Sequence, residues 1–395
     1  MGLMENASRR EGPGNRVKII AFLVLLVIII GTAGVAYLIS QDVDLKSISL
    51  KDLLERNILS RDTKYEFSST EFEYDANTVF STYKGYIVKC SRDSLIYLDS
   101  NGNEQWSFQL SLKNPVIKTA GSYLLAADYG TKSIMVFSGK ELAWEKELDN
   151  NIINADINVK GYVSVVHGEE RSRGAVSVYN RQGMKCFTMG KAENFVMSSE
   201  VSPSGKNTFI NSVDTSGIST NTVLEFTDIR GNILEDKVKK ENTIFSSVCY
   251  MGNDDLFAVG DSMFMMLDKS FKEKFKQDVN GKIFSSCIAD GKYAVVAANP
   301  EEATGIFESG SAGIWIYNSR GERVSEYNVK GEVKNLASFQ DIIAVNSGNK
   351  FRIIDLDARL LAEYSPKGDI KEAFFINRHE VLAVYDDKFS VLRMK

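Results

Sequence analysis

A strand–turn–strand unit recurs along the chain at spacings of roughly 37 to 50 residues, and no other feature limits its fold as strongly. It is clearest at Ile96–Trp106, IYLDSNGNEQW. It returns as IMVFSGKELAW ending at Trp144, VSVYNRQGMKCF at Phe187, LEFTDIRGNILE at Glu235, MFMMLDKSFKEKF at Phe275, IWIYNSRGERVSEY at Tyr327 and FRIIDLDARLLAEY at Tyr364. Asp99, Ser138, Asn180, Asp228, Asp268, Asn318 and Asp355 mark the turns. Short polar side chains suit such places because they bond neighbouring backbone N–H groups, and the glycine that often follows tolerates positive φ. Upstream of each marker lies a pair of short apolar runs, such as Tyr123–Ala127, Tyr293–Ala297 and Ile342–Val345. Four short strands per repeat of about 40 residues describe a propeller blade, its strands A to D running outward from the axis.

The seven markers alone allow a seven-bladed ring. The chain continues, however: Asp369–Lys395 supplies strands A, B and C (IKEAFFI, EVLAVY, FSVLRM) and then ends. Near the other end, Lys64–Ser68 (KYEFS) resembles the D strands EYNV and EYSP and has no C partner. Pairing the two completes an eighth blade and removes an open edge. The expected fold is therefore an all-β eight-bladed β-propeller over residues 64–395, with seven blades as the alternative, closed by an N-terminal strand.

Ahead of the repeats, residues 19–39 read IIAFLVLLVIIIGTAGVAYLI without a charge. As a helix they extend roughly 32 Å, about the thickness of a bilayer's hydrocarbon core, so one transmembrane α-helix in contact with the lipid bilayer is expected. Arg9, Arg10, Arg16 and Lys18 precede it, whereas Asp42 and Asp44 follow. This asymmetry predicts a cytoplasmic tail over 1–18 and an extracellular propeller on a single-pass anchor in the cell membrane. A cleaved signal peptide is the competing reading, since Gly34-Val35-Ala36 offers small residues. Residues 40–63 carry leucines and isoleucines among charges at helical spacing, and read as a juxtamembrane stalk.

Asp99, Gly102 and Trp106 in YLDSNGNEQW match the D-x-x-G-x-x-x-W hairpin of quinoprotein-like (PQQ/WD40-like) β-propeller repeats, which the chain resembles over about 330 residues. Its layout also looks like that of an uncharacterised family of Gram-positive envelope proteins. The first resemblance implies a rigid ring, and its non-enzymatic members imply a scaffold for other envelope proteins. The enzymatic members use calcium-binding carboxylates, a catalytic aspartate and adjacent cysteines around their cofactor. Here the cysteines, Cys90, Cys186, Cys249 and Cys287, are far apart, and Trp106, Trp144 and Trp315 fit packing between blades. No cofactor and no metal is expected, and the chain is read as no enzyme.

Composition excludes other classes. With 47 basic against 52 acidic residues, the net charge of −5 offers no footprint for nucleic acid. Two histidines, His167 and His379, rule out a multi-histidine metal centre. Asp99–Asn103 has a superficial likeness to a calcium loop but lacks the later ligands, and a hairpin turn accounts for it.

Two places carry candidate sites. IFSSVC ending at Cys249 and IFSSC ending at Cys287 fall at the first strands of consecutive blades, so Ser246, Ser247, Ser285 and Ser286 are candidates to line the axial channel. The two cysteines differ in register by one and are expected to face opposite sides of their strands as free thiols. Three B–C connections are long: His167–Ala175, Ser212–Thr222 and Asn299–Gly313. They share one face, and loops on a rigid scaffold are where function concentrates. His167, Glu169, Glu170, Arg171, Arg173, Glu301, Glu302, Phe307 and Glu308 are the partner-binding candidates, their mixed charges suiting an envelope protein partner better than a catalytic pocket. The chain is expected to be a binding or scaffolding module that presents this face to an envelope protein or wall polymer; the competing reading is a sensor that binds a small ligand at the axis and signals through the helix.

Overall fold

Eight four-stranded antiparallel sheets make up the computed structural model, which describes residues 66–74, 78–234, 237–299, 311–348 and 350–395. The apolar run 19–39, the tail and the stalk lie outside the described residues. Among the described residues no helix is long and apolar enough to cross a membrane.

Blade one runs Val79–Tyr83, Tyr86–Cys90, Ser94–Leu98, Glu104–Gln109, and blade two runs Pro115–Ala120, Tyr123–Asp128, Ser133–Ser138, Glu141–Glu147. Blade three is Ile152–Ile157, Val163–His167, Ala175–Tyr179, Lys185–Gly190, and blade four is Phe195–Val201, Asn207–Asp214, Asn221–Asp228, Val238–Lys240. Blade five is Ser247–Tyr250, Leu256–Val259, Met263–Leu267, Glu273–Asp278. Blade six is Ile283–Ala289, Tyr293–Ala298, Ser311–Tyr317, Arg323–Lys330, and blade seven is Asn335–Phe339, Ile342–Asn346, Phe351–Asp355, Leu360–Tyr364. Blade eight takes Glu372–Asn377, Glu380–Val384 and Lys388–Met394 from the C-terminus and borrows its D strand, Phe67–Glu73, from the N-terminal side.

That borrowed strand closes the ring. It pairs antiparallel with the last strand from Phe67 opposite Met394 to Glu73 opposite Lys388, and Glu66 and Lys395 exchange two backbone hydrogen bonds beyond it. The closure is the one expected, but it starts at the end of KYEFS and runs on to Glu73. The reason lies in parity: Phe67 meets Phe351 and Tyr364 of blade seven, whereas Phe72 stacks on Phe389 and packs toward blade one. Only a strand long enough to carry both rings, on opposite faces, can join both neighbours.

Eight hydrophobic clusters follow, one between each pair of adjacent blades, including eight and one. Strands B and C are buried along most of their length, as at Val163–His167 and Ala175–Tyr179, because both faces of a blade are covered by neighbours. Trp106, Trp144 and Trp315 sit in three of these inter-blade clusters.

Six C–D turns share one design, the tighter turn at Ser138 being the exception. Asp99 Oδ1 accepts the N–H groups of Asn101 and Asn103, and Asn180, Asp228, Asp268, Asn318 and Asp355 do the same two and four residues on. The markers are thus hairpin turns, and Asp99 spends its acceptor on backbone amides. The glycine that follows packs on the D-strand aromatic of the preceding blade: Gly183 on Trp144, Gly231 on Phe187, Gly321 on Phe275 and Gly102 on Phe72. The D-x-x-G-x-x-x-W pattern therefore records a contact between blades rather than within one. The borrowed strand takes part in it through Phe72.

Two expectations need correction. Strands B and C of blade four stay paired out to Asp214 opposite Asn221, so the connection expected over Ser212–Thr222 shortens to residues 215–220. Cys249 packs in the cluster between blades five and six and Cys287 in that between six and seven, so both point toward the following blade. A bulge at Phe284, the unpaired residue between Ile283 and Ser285, resets the alternation that separates them by count. All four cysteines are free.

Candidate docking face and axial carboxylates

In an antiparallel meander the B–C and D–A connections emerge on one face and the A–B and C–D turns on the other. The chain enters the ring at Glu66, on the A–B/C–D side, because Phe67 pairs with the end of the last C strand. On the other face, blades three to five expose Ile153, Phe195, Met197, Ile218 and Ile244, of which Ile218 is fully open to solvent.

Strand irregularity explains much of this exposure. Ile153 is the extra residue between Ile152 and Asn154, and Met197 the extra residue between Val196 and Ser198. Each bulge inserts one residue into the innermost strand, which breaks the in–out alternation and turns an apolar side chain away from the core. Beside them, the D–A connection of blade four and the B–C turn of blade five frame a groove of about 440 Å³. Thr220, Asn242, Ile244, Ser246, Asp261 and Ile283 line it. Ser246, expected in the channel, instead lines this groove, and its hydroxyl lies 3.5 Å from the Val259 carbonyl. Ser247 begins the A strand of blade five. Ser285 accepts the Leu336 N–H of blade seven, and Ser286 stands next to it on the innermost strand of blade six.

The partner candidates divide. Glu169, Glu170, Arg171 and Arg173 are exposed on this face. Arg173 lies over the Phe195 ring at 4.6 Å and reaches Thr215 Oγ1 at 3.4 Å, which joins the loops of blades three and four. His167 is no surface contact: it is 6 % exposed, with Nε2 2.8 Å from Ser177 Oγ and Nδ1 2.8 Å from the Gly168 carbonyl. Ser177 bonds Thr188 in turn, so His167 heads a polar chain across strands B, C and D. A histidine ending an otherwise apolar B strand takes the burial of that strand. Glu301, Glu302, Phe307 and Glu308 lie outside the described residues.

Sequence reasoning missed the axis. Asp156 and Glu200 occupy the A strands of blades three and four, where Lys118 of blade two lies 3.9 Å from Asp156 and the Tyr250 N–H donates to Glu200 at 3.1 Å. Burial raises the Asp156 carboxyl to about 6, against the pull of Lys118. Burial, then the charge of Asp156, lifts Glu200 well above the usual carboxylate range. The signal was a lone acid in an apolar inner strand, INADI and SSEV. The nearby Cys249 thiol is raised by burial and by both carboxylates, and burial raises Cys287 to about 12, so neither is an activated nucleophile.

A pH dependence follows. The folded-state value of Asp156 lies above its ordinary 3.8, so the folded protein binds this proton more tightly than the unfolded chain. Stability from this group is complete below that ordinary value and is lost as pH rises through about 6. Asp156→Asn is expected to stabilise at pH 7.5 by about 1 kcal/mol, below the full linkage value because the side chain keeps 30 % of its surface open. The gain should vanish near pH 4, as read by thermal unfolding at both pH values.

The profile of a family described as a family of unknown function, DUF5711, matches residues 60–394. The chain belongs to the DUF5711 family. No curated protein matches it significantly. Among solved structures, the DUF5711 ring is similar to BamB from Moraxella catarrhalis, at 12% identity over 83% of this chain and 99% of that one, with a TM-score of 0.51. It is similar to the C-terminal WD40 domain of Sif2 at 10% identity, covering 85% and 100% of the two chains, with a TM-score of 0.62. It is also similar to apo AztD from Citrobacter koseri at 12% identity, covering 75% and 88%, with a TM-score of 0.50. At these identities the likeness is one of fold, a β-propeller.

Proposed function

We propose that this DUF5711 protein is a docking scaffold: a membrane-anchored propeller, held outside the cell by residues 19–39, that presents its D–A/B–C face to an envelope protein. One observation carries the reading, the gathering of Ile153, Phe195, Met197, Ile218 and Ile244 on a single face. Apolar side chains grouped on one face mark an interaction surface; Val159, Met184, Ile233 and Leu234 are exposed at turns of the opposite face. The BamB and WD40 likenesses support a ring used for protein contacts, and the charge asymmetry around residues 19–39 supports the orientation.

Two experiments test this. In intact cells a membrane-impermeant maleimide should label Ile218→Cys well above the wild-type background, because all four native thiols are raised by burial and Cys186 is only part-exposed. Labelling only after lysis would overturn the orientation. Cross-linking in membranes should yield an adduct with another protein that falls at least about tenfold in Phe195→Asp/Ile218→Asp, since losing two apolar contacts costs upward of about 1.4 kcal/mol. An adduct unchanged by that pair would overturn the face.

A further inference from the structure

The docking reading leaves open what the face recognises, and its charges answer that. On blade four they cancel in pairs: Lys239 with Asp214 at 3.1 Å, Lys191 with Glu225 at 2.8 Å, and Lys240 with Glu273 of blade five at 2.7 Å. Among the described residues Arg173 contacts an exposed apolar ring and Asp261 lines the groove, and neither has an ion pair; Glu193, Glu241 and Lys282 stand farther along the same rim. On the blade-three side Arg173 is exposed, held over Phe195 and touching only the Thr215 hydroxyl. The neighbouring Glu170 and Arg171 are both exposed at the loop tip, and the Glu169 carboxylate lies against Gly190. On the blade-five side Asp261 is the one ionisable residue in the groove lining. Its Oδ1 takes the N–H and hydroxyl of Ser262, which leaves Oδ2 for a visitor.

Resting on the docking reading, we propose that the face takes a protein segment with apolar side chains in the middle, an acidic residue at the end over Arg173, and a lysine or arginine at the end that enters the groove beside Asp261. The apolar middle covers Phe195, Met197, Ile218 and Ile244. The terminal charges set which way the segment lies, as opposite rim charges do at other interfaces. An anionic lipid surface is disfavoured because the groove carries a carboxylate. A second copy is the remaining occupant, and sedimentation velocity distinguishes it.

The test uses the full chain in nanodiscs and synthetic 15-residue peptides sharing one alternating leucine–serine core. Their ends are acidic/basic, acidic/acidic, basic/basic or uncharged. Fluorescence anisotropy should show the acidic/basic peptide binding about fivefold tighter than each of the others, the size expected for two rim-exposed pairs. In Asp261→Lys the preference should pass to the acidic/acidic peptide, and in Arg173→Glu to the basic/basic one. Both substitutions are on exposed side chains, and unchanged thermal midpoints verify folding. Equal binding of all four peptides, or preferences that do not follow the substitutions, would overturn the proposal. So would binding to anionic vesicles, or self-association in sedimentation velocity, that disappears in the same variants. If the charge preferences fail while Phe195→Asp/Ile218→Asp still abolishes the membrane adduct, the partner chemistry falls and the docking face stands.

Discussion

Deleting residues 66–73 should lower the thermal midpoint of the propeller by at least about 10 °C and make it aggregate on unfolding. The strand contributes seven residue pairs to the last C strand, two further backbone bonds through Glu66, and the Phe67 and Phe72 rings. At about 1 kcal/mol net per hydrogen bond and roughly 2 kcal/mol for each half-buried ring, the loss reaches several kcal/mol. More follows from topology. Without this strand, Lys388–Met394 becomes an unpaired edge, and blade one loses the segment whose hydrogen bonds tie it to blade eight. Phe67→Ala/Phe72→Ala keeps the backbone ladder and should lose about half as much. Differential scanning calorimetry decides: a shift below about 3 °C on deletion would mean that the strand only decorates a ring held shut by the cluster between blades eight and one.

Gly321→Ala is expected to destabilise by about 2–4 kcal/mol, and Gly139→Ala by only about 1 kcal/mol. Both glycines have positive φ, +78° and +65°, so both alanines carry the backbone strain of the left-handed region. They differ in what a methyl group meets. At Gly321 it falls 2.7 Å from Phe275 Cγ, next to the backbone end of that side chain, which cannot rotate away. At Gly139 nothing lies within 4 Å. Urea unfolding of the two variants separates the strain, common to both, from the contact between blades five and six, present in one. Equal losses would show that the glycine–aromatic contact contributes nothing and that the repeat preserves its glycine for the turn alone.

The contrast between these glycines shows how the repeat was read. The sequence by itself determined the turns, the four-strand period, the blade count and the idea of closure, because each is a local pattern: a side chain that bonds an amide two or four residues on, or an apolar run bounded by turns. IYLDSNGNEQW could be recognised without knowing what Trp106 touches. The blade-four loop came out too long because polar SVDT and STNT look like loop, although strands B and C stay paired through Asp214 and Asn221.

Tertiary structure decided the rest. His167 looked like a loop residue, and burial between neighbouring blades turned it into an internal hydrogen-bond donor and acceptor. Ile153 and Met197 are apolar residues of innermost strands, and single-residue bulges turned them out onto the docking face. A bulge shifts parity without leaving a residue-type signature, and one shift reverses every side chain beyond it. Asp156, Glu200 and Lys118 come from three blades and are far apart in the chain; only the packing of neighbouring blades brings their inner strands close enough for one carboxylate to raise another. Local chemistry wrote the blades, while the number of neighbours that each blade must touch, and the bulges that fit it to them, settled which side chains face water, the axis or a partner.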